Sequence, residues 1–153
     1  TPILGICLGM QLLFEESNEF VKTKGIGIFK GKVKSLKDHK LHIINKKDIE
    51  KSAEEIPIPH MGWNKLKKEQ ENENNIYLKC IDNESFYFVH SYGVENAIDL
   101  DFQVKTKYQN ITPIAICGKD NTIGFQFHPE KSGIAGLYLL GNIIYNLFNS
   151  NKL

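Results

Sequence analysis

Sulfur is scarce in this sequence: 153 residues hold three cysteines and two methionines. The cysteines, Cys7, Cys80 and Cys117, are odd in number and far apart. That spacing argues against a disulfide framework and a zinc site, and it fits a reducing, cytoplasmic setting. Charge of one sign is lacking too. Nineteen Lys and Arg stand against eighteen Asp and Glu, a net charge of +1. Such a balance gives no electrostatic case for nucleic acid or an anionic membrane as partner. No apolar run reaches the roughly 18 residues that a membrane-spanning helix needs. Internal repeats and long flexible linkers are absent, so residues 1–153 are expected to form one domain. With 41% hydrophobic and 24% charged residues, the chain has the make-up of a globular protein with a sizeable core.

The most informative stretch is Gly5-Ile6-Cys7-Leu8-Gly9. The apolar run Pro2-Ile3-Leu4-Gly5-Ile6 enters it, and a helix-like run from Met10 to Glu16 leaves it. Strand, Gly-x-nucleophile-x-Gly, helix is a nucleophile elbow, here with a thiol. The turn is so tight that side chains at Gly5 and Gly9 are expected to collide with their surroundings. A helix start beside Cys7 is expected to favour thiolate over thiol. The backbone N–H of Leu8 is placed to donate to an oxyanion. Taken alone, the motif also fits a structural cysteine in a Gly-rich turn. In doubly wound sheets the elbow strand has neighbours on both sides. Here it begins almost at Thr1, so an N-terminal portion of the natural protein is expected to precede this sequence.

Downstream, Lys24 to Gly31 suggests a bend and a short strand, and Lys32 to Leu36 and Lys40 to Ile43 alternate like half-buried strands. Asn45 to Glu55 is charged and reads as a surface connection. Ile56-Pro57-Ile58-Pro59 is stiff and extended, since each proline fixes its own φ and restricts the residue before it. It delivers His60-Met61-Gly62-Trp63-Asn64, whose tryptophan fits an interface anchor or a core residue. Lys65 to Asn75 reads as a solvated loop. Ser85 to Val89 is strongly β-prone and ends in His90-Ser91-Tyr92-Gly93, either a polar turn or a set of ligand contacts. Asp101 to Tyr108 and Pro113 to Lys119 read as strands. Asp120-Asn121 turns the latter into Thr122 to Phe127 as a hairpin. A helix is expected over Gly136 to Asn149, with Leu137, Leu140, Ile143, Ile144, Leu147 and Phe148 facing the core.

The final strand ends in His128-Pro129-Glu130. A thiol nucleophile needs a base, and the imidazole needs an orienting carboxylate. Strand-end placement brings His128 towards Cys7, and an extended i, i+2 spacing puts Glu130 on the same side as His128. The expected arrangement is a Cys7–His128–Glu130 triad for acyl transfer through a thioester. Zinc binding by the same three residues would leave the elbow without purpose; no metal and no cofactor are expected.

Gly5 to Gln11 together with Phe127-His128-Pro129-Glu130 resembles the class I glutamine amidotransferases. Pro59 to Asn64, Tyr87 to Tyr92 and Gly124 to Ser132 are similar to the glutaminase subunits of imidazole glycerol phosphate synthases. The resemblance implies a three-layer, flavodoxin-like mixed α/β sheet with flanking helices. It implies that Cys7 attacks glutamine, that His128 is base and acid, and that Glu130 orients it. Gln11, Glu19, Ser91 and Tyr92 would contact the substrate glutamine. His60, Met61, Trp63, Asn64 and Lys131 would face a (β/α)8-barrel synthase subunit in a heterodimer that uses the ammonia for histidine biosynthesis. In that family a second oxyanion donor lies in a Gly-rich loop upstream of the elbow, which these 153 residues do not contain. Two other readings remain: a related glutaminase feeding another synthase, such as one of surface-sugar synthesis, or a non-catalytic fragment.

Overall fold

A computed structural model describes residues 1–39, 56–67, 74–79 and 81–149. The strand expected at Lys40 to Ile43, the charged connection Asn45 to Glu55 and Cys80 lie outside these residues. The elements run β1 (Ile3–Ile6), α1 (Leu8–Leu12), β2 (Phe14–Ser17), β3 (Thr23–Lys24), β4 (Phe29–Ser35), β5 (His60–Lys67) and β6 (Ser85–His90). They continue as β7 (Tyr92–Gly93), β8 (Ala97–Ile98), β9 (Phe102–Thr106), β10 (Ile114–Lys119), β11 (Thr122–Phe125) and α2 (Gly133–Asn149). The fold is mixed α/β, as expected.

Six strands form one sheet in the order β1-β11-β10-β9-β5-β6. Only β1 and β11 pair in parallel, and every other pairing in this sheet is antiparallel. β10 is buried on both faces, which is why Ile114-Ala115-Ile116-Cys117 reads as a continuous apolar run rather than an alternating one. One core, with Phe86, Phe88, Phe125 and Phe127 at its centre, lies under α2. A second, built on Met10, Phe14, Phe29, Ile114 and Cys117, joins the sheet to a smaller one ordered β3-β2-β4-β7. Burying each of these phenylalanines stabilises the fold by about 2 kcal/mol. Among the described residues β1 pairs with β11 alone, so the expected second neighbour of the elbow strand is not found there.

Four local expectations are corrected. The helix after the elbow does not reach Glu16: it stops at Leu12, and Phe14 starts a strand. Phe14 is fully buried edge-on against Phe29, and parallel pairing of β2 with β4 outweighs local helix propensity. Residues 65–67 are not loop but the end of β5, where Leu66 and Lys67 pair with β9. β11 stops at Phe125 rather than Phe127, although both phenylalanines are buried in the core. The core side of α2 is Gly136, Leu139, Ile143 and Leu147, with Leu140 partly buried. Leu137 and Phe148 are each 62% exposed, because the helix is apolar on two sides and hydropathy alone does not select one.

No helix among the described residues is long and apolar enough to cross a membrane.

Candidate active site

β1 and β11 run in the same direction, with Ile6 opposite Phe125, so both chains leave the sheet at one end. Cys7 follows β1 at once, and His128 follows β11 by three residues. The Cys7 backbone N–H donates to the Phe125 carbonyl at 2.7 Å. Cys7 itself has φ 52° and ψ −108°, a left-handed conformation that L-residues adopt only under strain. That strain lifts the thiol out of the turn. A side chain at Gly5 would stand 2.8 Å from the backbone of Gly9 and Met10, so this glycine is required by close approach. Gly9 differs from expectation: a Cβ there meets nothing within 4 Å. The tightness sits on the strand side of the elbow.

The thiol is not held as thiolate. Burial raises its pKa above the ordinary value. The Leu8 backbone N–H opposes this, the Glu130 and Glu19 carboxylates add to it, and Lys131 lowers it. The expected helix effect loses because α1 is only five residues long and two carboxylates lie near the sulfur. A neutral thiol must therefore lose its proton during the reaction. Its hydrogen bond runs to the Val89 carbonyl on β6, at a sulfur distance of 3.9 Å, and not to His128.

His128 is anchored from several sides. Its backbone N–H donates to the Tyr87 carbonyl at 2.9 Å, and its own carbonyl accepts from the Ser132 hydroxyl at 2.6 Å. Its Nδ1 stands 2.7 Å from Glu130 Oε1. A carboxylate only accepts, so Nδ1 carries the hydrogen and Nε2 presents a lone pair. Glu130 is exposed, so solvent competes for this hydrogen bond. β6 is the common wall: Tyr87 holds His128 and Val89 meets Cys7.

Cys7 opens into a cleft of about 550 Å³. Gln11, Glu19, Ser91 and Tyr92 line it with Leu8, Phe20, Pro59 and His90. Gln11 is buried, and its Nε2 donates to the Tyr92 carbonyl at 2.8 Å and to Gln126 Oε1 at 3.3 Å. Gln126, fully buried, is a partner that the sequence did not reveal.

The residues expected at a protein interface separate by strand alternation. Along β5, Met61 and Trp63 point outward, 61% and 57% exposed, while His60 points inward and is 1% exposed. Asn64 also turns in, and its Nδ2 donates to the Lys107 carbonyl at 2.9 Å. His60 is thus corrected from surface to core: its ring stacks between Phe88 and Tyr108. Lys131 is exposed on the turn after His128.

Three buried histidines flank the cleft. Burial pushes His60 down to about 3 and His90 to about 4, and His39 below its ordinary value. They stay neutral in the fold but charge in the unfolded chain near pH 6.5. Stability is complete above that pH and is lost as pH falls towards 4. Between pH 6.5 and 5 the loss should be on the order of 2 kcal/mol each for His60 and His90, and His39 adds to it in the same direction. Urea melts at pH 7.5 and 5 measure it, and coincident midpoints would contradict it.

The profile described as glutamine amidotransferase class-I matches residues 1–144 of the chain. Among curated proteins, the imidazole glycerol phosphate synthase subunit HisH of Methanocaldococcus jannaschii is 44% identical over 144 residues, covering 94% of this chain and 63% of that protein. The protein of the same name from Geobacillus kaustophilus is 38% identical over 144 residues, covering 94% and 62%. That of Lactococcus lactis is 43% identical over 139 residues, covering 91% and 59%. The chain therefore spans about three-fifths of the length of the curated relatives it matches. With a match over nearly its whole length, a thiol elbow at the end of β1 and a His-Pro-Glu turn after β11, the chain belongs to the class I glutamine amidotransferases.

Proposed function

We propose that this chain carries the glutaminase of an imidazole glycerol phosphate synthase. It hydrolyses glutamine to glutamate and ammonia and passes the ammonia to a (β/α)8-barrel synthase subunit, in a cytoplasmic heterodimer serving histidine biosynthesis. The observation that carries this reading is the strained Cys7 elbow opening into a cleft lined by Gln11, Glu19, Ser91 and Tyr92. The relatives' shared name supports the choice of synthase.

The chemistry follows from the protonation states. The His128 Nε2 lone pair takes the Cys7 proton as the sulfur attacks the glutamine carboxamide carbon. The Leu8 N–H donates to the oxyanion. The imidazolium then protonates the departing nitrogen, and ammonia leaves a glutamyl thioester. Water attacks the thioester as His128 accepts its proton, and glutamate leaves with the thiol restored. Gln11 Oε1 faces the substrate, since its Nε2 is committed to Tyr92 and Gln126. Glu19 suits the substrate's ammonium group. Because the resting thiol bonds to Val89 rather than His128, proton transfer requires a small rearrangement, which partner or substrate binding would supply.

The test is ammonia release from glutamine by the protein together with its synthase subunit and that subunit's nucleotide substrate. No release under those conditions rejects the reading. Glu130→Gln should lower kcat by on the order of 10²-fold with little change in KM, since an amide no longer fixes the His128 tautomer. Unchanged kinetics would remove Glu130 from the site. Met61 and Trp63 stand side by side with Val89 and Tyr87 on β6, and Trp63 packs edge-on against Tyr87. Trp63→Ala should weaken synthase binding by about 2 kcal/mol in a calorimetric titration. Unchanged affinity would take Trp63 out of the interface.

A further inference from the structure

His60 lies outside the cleft, yet it is bonded into the cleft's wall. It opposes His90 in the pairing of β5 with β6. Its Nδ1 is 3.0 Å from His90 Nε2. His90 Nδ1 is in turn 2.8 Å from the Tyr92 carbonyl. That carbonyl also receives the Gln11 Nε2, and His90, Tyr92 and Gln11 all line the cleft with Cys7.

The hydrogens in this chain have one arrangement for a neutral pair. A carbonyl only accepts, so His90 Nδ1 carries a hydrogen. Neutral His90 then offers a lone pair at Nε2, and His60 must donate from Nδ1. This leaves a lone pair on His60 Nε2, which is buried with no hydrogen-bond partner. The Asn64 amide beside it spends one Nδ2 hydrogen on Lys107 and offers His60 no more than a long, weak contact.

A buried nitrogen left so poorly satisfied costs stability. The ring lies between Phe88 at 4.7 Å and Tyr108 at 4.1 Å, both nearly parallel to it. Phenylalanine would stack there without that cost, so packing alone does not select histidine. What histidine adds is the donor at Nδ1.

We propose that His60 is a positioning residue for the glutamine site: its Nδ1–H holds His90 in one tautomer, which fixes the Tyr92 carbonyl and, through it, the Gln11 amide. This rests on the glutaminase reading. It predicts that His60 governs how tightly glutamine is held rather than how fast the thiol reacts.

The experiment measures glutamine hydrolysis by the assembled enzyme for the wild type, His60→Phe and His60→Asn, with ring 15N spectra of the same proteins. His60→Phe should raise KM for glutamine about tenfold while kcat stays within roughly threefold. His60→Asn, whose Nδ2–H stands near the lost Nδ1–H, should return KM to within roughly threefold of the wild type. The wild-type spectrum near neutral pH should show hydrogen on Nδ1 of both His60 and His90, and His60→Phe should release His90 into mixed tautomers. Equal KM in all three proteins overturns the proposal. So does a parallel fall of kcat and thermal stability in both variants, which is the mark of mere packing. A wild-type His90 protonated at Nε2 overturns it whatever the activity. Wild-type enzyme that does not hydrolyse glutamine rejects the functional reading instead, and the spectra still decide whether the tautomer chain exists.

Discussion

Cys7→Ala should reduce glutamine hydrolysis by at least about 10³-fold while leaving the unfolding midpoint close to wild type. The size of the loss follows from the chemistry, since no other thiol among the described residues is placed to replace it. Cys117 is fully buried in β10, and burial raises its pKa far above the ordinary value. The small effect on stability follows from the backbone. Alanine at φ 52° bears the same strain as cysteine, and the thiol's one hydrogen bond, at 3.9 Å to a carbonyl, is weak. Cys7→Gly should be equally inactive yet more stable, by about 1 kcal/mol, because glycine relieves the left-handed strain. Steady-state ammonia release and urea melts on the three proteins give both numbers. Residual activity above about one-tenth of wild type in either variant would refute the nucleophile assignment.

Gly136→Ala should be among the most destabilising single methyl additions in the chain, by about 3 kcal/mol. Its new Cβ would run into the Pro129 carbonyl oxygen and stand 2.7 Å from Ser132 Cβ. Pro129 belongs to the turn that carries His128 and Glu130, and Ser132 holds that turn by its bonds to His128 and Tyr87. Relief of the clash therefore moves either α2 off the sheet or the turn off its anchors. Gly9→Ala is the control, because a methyl there meets nothing and alanine favours the helix. Urea midpoints should fall clearly for Gly136→Ala and stay level or rise for Gly9→Ala. Equal midpoints would mean that α2 does not clamp the turn.

Features written in short-range chemistry were legible in the sequence. The Gly-x-Cys-x-Gly elbow, the β-prone run ending at His90 and the Asp120-Asn121 hairpin depend on residues within a few positions of each other, and all three form, although the elbow helix stops at Leu12 and the hairpin's second strand at Phe125. The parallel pairing that brings Cys7 and His128 to one end of the sheet follows from where their strands stop. What failed depended on distant partners. The exposed side of α2 is set by the sheet beneath it, and its own residues are apolar on two sides. Phe14 became strand because Phe29, fifteen residues on, packs edge-on against it. His60 turned inward because β5 is a strand of regular alternation, which its run of Met, Gly and Trp does not announce. The thiol's raised pKa came from burial and from carboxylates over a hundred residues apart in sequence.

The pairing of β1 with β11 also sets a timetable. Ile3 waits for Thr122 and Ile6 for Phe125, a separation of about 120 residues. At a synthesis rate of roughly 5–20 residues per second, the cysteine is made some 6–24 seconds before the strand that fixes its turn. Through that interval it is an ordinary, unburied thiol with an ordinary pKa, open to oxidants and to mixed disulfides. The completed fold then raises that pKa and makes the resting sulfur less reactive. The nascent chain thus adds a redox exposure of Cys7 to the one the sulfur keeps at the open cleft.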